Sequence, residues 1–491
     1  MNELSKWQIV SFISRGIAQG LGVIQGFIIA RILLPSEFGV EQLALALGAT
    51  FGIYQHLGLA SGSTREISAA KNDDEVFKIF VTSCIIRYIV TIPLAAIMYF
   101  SATTLAVDTY QQPTMVKPIQ LFSVVLLLQG VQSILNSVIS GTKRFKRLFI
   151  YQAAIAVVSV VIYVPAVYFY RVNGYFYALI LFNLISSIIL WIIAFKPLKT
   201  KMPLPSRKDF NKLFKELLSI SLAIYVVKIL YTYWERSGTL LLGREVSIEM
   251  VAVFSFALLY TKKLMAFSDS VTDVNLPVLS EKYVHDMEAF KTLFKENFNK
   301  LYAIVIFIGA CAAYWSREIT HLFMGGGKYD ASLSLILPLM FAFIFYSYIN
   351  IIKSSVIIPA KMVKEMMLSF VFLLGGTVAV FYACVHVFKV EPLMSMAIGM
   401  TTGALISLLS LHFFSKFKLN LSIFTHDHVL LVIHGFLIAY MGYLENFILK
   451  GILFAILITL YIWGVFITKF YTKKDFAFSM NRFTRLKGRV K

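Results

Sequence analysis

With 491 residues, 58% hydrophobic, only 15% charged and a mean hydropathy of +0.75, the chain has too few charges to cover a water-soluble surface. It reads as an all-α integral membrane protein. The net charge of +20 raises the question of nucleic acid, which the placement of the 46 Lys and Arg residues decides. Cys84, Cys311 and Cys384 all fall in apolar runs, as buried thiols do and a disulfide framework does not.

Crossing the hydrocarbon layer takes about 20 mostly apolar residues. About fourteen stretches qualify: 7–30, 39–61, 79–100, 118–140, 149–170, 175–195, 216–242, 247–270, 301–324, 332–358, 367–388, 393–414, 428–444 and 447–468. The first is long, is interrupted by Arg15 and has no small-residue cleavage site, so it is expected to be a retained helix rather than a signal peptide. Between the first two, Phe27 to Leu47 breaks at Pro35 and passes through Ser36-Glu37-Phe38-Gly39, which predicts a tight hairpin. Its charges, Arg31, Glu37 and Glu41, are expected in a solvated connector at the outer surface.

Counting Lys and Arg over alternate loops gives 31 on the side of the N-terminus and 7 on the other, the rest lying within spans. That excess places both termini in the cytoplasm and explains most of the net charge without nucleic acid. The densest stretch, Lys196 to Lys215, combines prolines with seven basic residues and reads as a cytoplasmic linker. It divides the chain into an N-terminal lobe (1–195, six helices) and a C-terminal lobe (216–414, six helices). Two additional helices (415–468) and a basic tail (469–491) follow. After the linker the hairpin pattern returns: LLPSEFGVEQLA at 33–44 aligns with LLGREVSIEMVA at 241–252, an offset of 208 residues with five identities in twelve. Internal repeats typify secondary transporters, whose substrate sites lie between the repeats.

Ionisable groups inside a bilayer usually face a cavity or a partner. In the first span Arg15 stands with Gln8, Ser11, Gln19, Gly22 and Gly26 on one polar or small stripe. The seventh span has a stronger stripe, Ser221, Tyr225, Lys228, Thr232, Glu235 and Thr239, with Arg236 beside it. At the 208-residue offset the two stripes do not coincide. Arg87 lies in the third span. Lys262 and Lys263 are adjacent and point about 100° apart on a helix, so at most one is expected to face any given cavity. Asp269 and Asp273, four apart, are candidates for a coupling ion, as is Glu235. Arg317 and Glu318 are expected to cap an outer helix end.

Enzyme signatures are weak. His426-Asp427-His428 sits in a short loop without a third metal ligand, Gly325-Gly326-Gly327 follows no strand, and no Walker sequence is present. No cofactor and no catalytic residue is expected.

IARILLPSEFGVEQLALAL followed by LGLASGSTREIS (57–68), with NLPVLSEKY at 275–283 and LFMGGGKYDAS at 322–332, resembles the O-antigen and polysaccharide flippases. These belong to the multidrug/oligosaccharidyl-lipid/polysaccharide exporter superfamily. The resemblance implies two pseudo-symmetric six-helix lobes around a central cavity plus two C-terminal helices, working by alternating access. It also implies a polyprenyl-diphosphate-linked oligosaccharide as cargo, moved from the cytoplasmic to the outer face of the inner (plasma) membrane. A diphosphate needs cations in a low-dielectric cavity, and Arg15, Arg87, Lys228 and Arg236 are the best placed. Gln19, Tyr225 and Thr232 add polar lining, and Tyr54, Tyr231, Tyr233 and Trp234 offer faces to sugars. Where the family often has a lone acid in the seventh span, this chain has Glu235 next to Arg236, which argues against a simple cation site.

The expected partners are the lipid-linked glycan, membrane lipids and the polymerase and glycosyltransferases of the same pathway, with a monomer as the working unit. Two other readings are a drug or organic-cation antiporter of the same superfamily, which would want an acidic cavity, and a membrane-embedded glycan polymerase or ligase, which would want a long outer loop.

Overall fold

A computed structural model describes residues 19–219, 222–265, 268, 279 and 281–471. Among the described residues the chain is helical throughout, without strands. The opening helices are α1 (Gln19–Ile32) and α2 (Pro35–Tyr54). Pro35 starts α2 as sequence predicts, since its ring fixes φ and a first-turn residue needs no N–H donor. At its far end α2 bends by 47° into α3 (Leu59–Ala69), through Leu57 and Gly58, both at positive φ.

Next come α4 (Asp73–Phe100), capped by the Asn72 side chain, and α5 (Val116–Gly141). α6 (Phe145–Phe195) is two spans joined at Arg171, where φ is 53° and ψ −134°. Beside this break the limbs turn so tightly that a Cβ on Gly174 would lie 1.9 Å from the Ala166 oxygen, so only glycine fits. The basic linker leads into α7 (Arg207–Ser219), which is followed by α8 (Leu222–Glu245) and α9 (Ile248–Thr261). The remaining helices are α10 (Met287–Tyr314), α11 (Ser316–Met324), α12 (Leu333–Ile352), α13 (Val363–Tyr382), α14 (Pro392–Leu419), α15 (His426–Met441) and α16 (Phe447–Ile467).

By length and composition, eight of the described helices can cross a membrane, or nine if α2 and α3 form one bent span, with α1 and α15 shorter apolar helices. α12 is buried on nearly all sides, whereas α13 and α16 turn apolar faces outward, as lipid-facing helices do. Close helix contacts use small residues: a Cβ on Gly403 of α14 would lie 2.2 Å from Thr377 Oγ1 of α13. α15 and α16 dock on α10. There Tyr302 Oη donates to the His428 oxygen (2.9 Å) and Tyr461 Oη to the Ala303 oxygen (2.8 Å). Lys450, fully buried, pairs with Glu318 at 2.7 Å.

Three expectations change. The segment 281–300 is not a loop, because α10 begins at Met287, and the span expected at 301–324 breaks at Trp315 into α10 and α11. The hairpin breaks do not obey the 208-residue offset. α1 ends at Ile32 and α8 at Glu245, while α2 begins at Pro35 and α9 at Ile248, so both boundaries are 213 residues apart (Pro35 to Ile248). The short identity run misplaces the echo by five residues because apolar helix-end sequence aligns well in several registers. Glu41 is not in a solvated connector: it is 1% exposed on α2, and one carboxylate oxygen has no hydrogen-bond partner among the described residues.

Candidate functional site

The two hairpins meet at one end of the molecule, the hairpin end. A Cβ on Gly39 would lie 2.2 Å from the Ile248 oxygen, so the start of α2 rests directly on the backbone of α9. Lys328, after the three glycines, donates to the main-chain oxygens of Ala30 (2.8 Å), Arg31 (2.9 Å) and Leu33 (2.5 Å), capping the end of α1. Arg31 returns a bond to the Phe323 oxygen at 3.2 Å, and Tyr329 stacks on Phe256 with centroids 4.5 Å apart. Arg171, at the α6 break, grips the Glu37 carboxylate and donates to the Ile32 oxygen at 3.0 Å. Glu37 lies at the mouth of the molecule, and its carboxyl, although raised by partial burial, is held below its ordinary value by the hydrogen bond from Arg171 and the Leu34 N–H.

Toward the opposite end a cavity of about 380 Å³ opens between α1, α2, α8 and α9. Gln19, Gln42, Tyr231, Glu235, Arg236, Thr239, Lys262 and Lys263 line it. Both lysines reach the same cavity, contrary to the one-of-two expectation. They lie in a 3₁₀ turn over Lys262–Leu264, where neighbouring side chains stand about 120° apart, so the cavity is wide enough to take both directions. Glu235 ion-pairs with Lys262 and stands 3.8 Å from the Arg236 guanidinium.

A second cationic group forms where α2 bends. Arg87 of α4 is fully buried; its guanidinium donates to Ser133 Oγ at 2.5 Å and sits 3.1 Å from His56 Nδ1. With Arg87 always a donor, the His56 Nδ1 must accept, leaving its proton on Nε2. Lys228 of α8 is exposed, close enough for its charge to act on both His56 and Arg87. Among the described residues neither Arg87 nor Lys228 has a carboxylate partner. Nearby the hydroxyls of Tyr54 and Tyr233 meet at 2.7 Å, and Gln55 accepts from Thr91 at 3.2 Å.

The other predicted residues fall in different places. Gln19 lines the cavity. Tyr225 is buried and donates to the Tyr54 oxygen at 3.1 Å, bracing the end of α2, and Thr232 bonds back to the Lys228 oxygen. Tyr231 and Trp234 both stack on Tyr346, the latter fully buried in the core. Arg317 faces Glu445, while Glu318 belongs to the Lys450 pair. Arg15, Asp269, Asp273 and Ser221 lie outside the described residues. Sequence reading missed His56, a lone histidine whose only signal was its place at the end of an apolar run, and Lys263, set aside by helical geometry.

The helix ends also re-register the stripes. At 213 residues, Arg15 corresponds to Lys228, Gln19 to Thr232, Gly22 to Glu235 and Gly26 to Thr239.

A family model described as polysaccharide biosynthesis protein matches residues 28–334. The chain belongs to this family. No curated protein sequence matches it. Its fold is shared with solved transporters. A multidrug resistance MATE family transporter of the MOP superfamily, in its inward-facing conformation, superposes with a TM-score of 0.68 at 14% identity, over 83% of this chain and 98% of that one. The lipid II flippase MurJ, in an inward closed conformation, gives 0.67 at 15% identity, over 93% and 97%. A MATE transporter of the same superfamily in its outward-facing conformation gives 0.57 at 16% identity, over 85% and 95%. The protein of this polysaccharide biosynthesis family is thus a multi-pass membrane protein with a transporter fold.

Proposed function

We propose that the protein is a flippase that carries a polyprenyl-diphosphate-linked oligosaccharide, the repeat unit of O-antigen or another surface polysaccharide, from the cytoplasmic to the outer face of the inner membrane. The observation that carries this reading is the excess of positive charge between the halves. Among the described residues, Arg87, Lys228, Arg236, Lys262 and Lys263 stand at the cavity and the α2 bend with one acid, Glu235. Such a site suits a diphosphate, whose oxygens take charge-assisted bonds from several cations. It does not suit an organic cation, because the one cavity acid is already held by Lys262 and Arg236.

The lobes divide as 1–195 and 216–414, with the basic segment 196–215 between them, helices 415–468 outside and a basic tail from 469. At the 213-residue offset Arg15 matches Lys228 in sequence. With both termini cytoplasmic, the hairpin end faces outward and the protein rests closed outside and open to the cytoplasm. That orientation agrees with the higher similarity to the inward-facing neighbour. The carrier works as a monomer, delivers to the polymerase of its pathway and is driven by ion or proton exchange.

Replacing Arg15 or Lys228 with Ala is expected to abolish surface glycan while membrane insertion stays intact. Normal glycan display by both variants would refute the reading. Transport by purified protein in liposomes that survives collapse of every ion gradient would refute the coupling.

A further inference from the structure

Among the described residues, three cations and one acid share the cavity between α1, α2, α8 and α9. Glu235 is engaged by two of them: its carboxylate pairs with Lys262, and its Oε1 stands 3.8 Å from Arg236 Nη2. Lys263 has no hydrogen-bond or ion-pair partner among the described residues, and Gly22 of α1 lies opposite its ammonium. A Cβ on Gly22 would stand 4.0 Å from Lys263 Nζ. Arg236 Nε is buried without an acceptor among the described residues. The acid belongs to one half alone, since the position matching Glu235 on α1 is this same Gly22.

A carboxylate in a cavity for an anion works against its own cargo. Held by Lys262 and Arg236, it supplies the charge-assisted contacts that phosphate oxygens would otherwise make. It also spares the empty carrier from holding three bare cations away from bulk water, which costs far more than holding a paired set. After delivery the carrier returns without its anionic cargo, and the acid then offsets part of the positive charge that the cargo had neutralised.

We propose that Glu235 is an internal competitor of the anionic cargo. In the empty carrier it occupies Lys262 and Arg236. Phosphate oxygens arriving at the uncommitted Lys263 displace it and take over its two cations; when the cargo leaves, the carboxylate returns. Glu235 thereby sets the affinity low enough for release. The inference rests on the reading of the cargo as a diphosphate-linked lipid and adds the residue that tunes its binding.

The test uses inorganic pyrophosphate as a soluble probe, titrated calorimetrically into the full-length protein in nanodiscs. Glu235→Gln, which keeps the shape and removes the charge, is expected to tighten pyrophosphate binding by about tenfold or more. Lys263→Met is expected to weaken it by a similar factor. In liposomes Glu235→Gln should also slow turnover, because release becomes slow. Glu235→Asp, which keeps the charge on a shorter arm, should fall between wild type and Gln, and serves if the Gln variant is not monodisperse. Binding in Glu235→Gln equal to or weaker than wild type, with Lys263→Met still weakened, would overturn the competitor and leave the anion site standing. If neither wild type nor Glu235→Gln binds pyrophosphate saturably, the anionic-cargo reading fails, and this inference with it.

Discussion

The ammonium of Lys328 donates to the main-chain oxygen of Arg31 at 2.9 Å, joining the loop before α12 to the last turn of α1. Those two segments belong to opposite halves of the chain, so the bond closes the hairpin end across the divide. The Ala30 and Leu33 oxygens share the same ammonium, which satisfies carbonyls that a helix end leaves open.

Loss of this latch is expected to open the hairpin end. Charge-assisted bonds are worth about 1.5–3 kcal/mol each, so Lys328→Met should raise the open population at least tenfold. Val40, buried on α2 one residue past Gly39, gives the readout as Val40→Cys in a background without the three native cysteines. Labelling by an impermeant maleimide from the hairpin side should accelerate by about that factor; an unchanged rate would show that Lys328 does not hold the closure.

Gly39 should tolerate no side chain in the closed state. Its Cβ would meet the Ile248 oxygen at 2.2 Å, a backbone atom that cannot rotate away. Overpacking of this kind costs about 1–3 kcal/mol. Gly39→Ala is therefore expected to lower the unfolding temperature by several degrees and to speed the same labelling, whereas Gly451→Ala, with open space at its Cβ, should change neither.

The fully buried Lys450 is balanced by Glu318. Breaking a buried pair costs about 3–5 kcal/mol and replacing both members much less, the partly exposed Glu318 placing this case at the low end. Lys450→Met is expected to destabilise the packing of α16 against α11, and Lys450→Met with Glu318→Gln to recover most of the loss. Thermal unfolding of the single and double variants measures the coupling directly.

Asp74 anchors the basic segment to α4, accepting from Thr200 Oγ1 at 2.7 Å and from the Lys201 N–H at 2.8 Å. These bonds, the Thr200 hydroxyl first, hold its carboxyl below the ordinary 3.8. Because the value is depressed on folding, the anchoring is complete above 3.8 and is lost as pH falls through the lowered value. The Lys201 amide should exchange slowly at neutral pH and lose its protection only in that acidic window. Asp74→Asn should weaken the protection at pH 7.

Much of the fold was legible because a bilayer leaves the chain few choices: apolar runs of span length and Pro35 at a helix start each have one reading. The long extension of α10 below residue 301 was hidden by its charged first turns, which look like a loop when only hydropathy is read. The site was half legible. Arg87, Lys228, Glu235 and Arg236 stood out as charges in apolar sequence, but the partners that give them meaning came from other helices. His56 reaches Arg87 only because α2 bends, and Lys263 joins Lys262 because the cavity is wide enough to take two side chains about 120° apart. The repeat offset was misread for a related reason: identities in apolar sequence are cheap, while helix ends are set by caps and turns that few residues encode.

In the proposed function, cations between the halves carry a diphosphate-linked glycan across the membrane. Its most direct test is the rate at which purified protein in liposomes turns over a polyprenyl-diphosphate oligosaccharide, compared with Arg87→Gln and Lys228→Gln. A fall of at least about tenfold is expected in each variant, for the loss of one charge-assisted contact, with unchanged incorporation into the liposomes. Wild-type rates in both variants would contradict it.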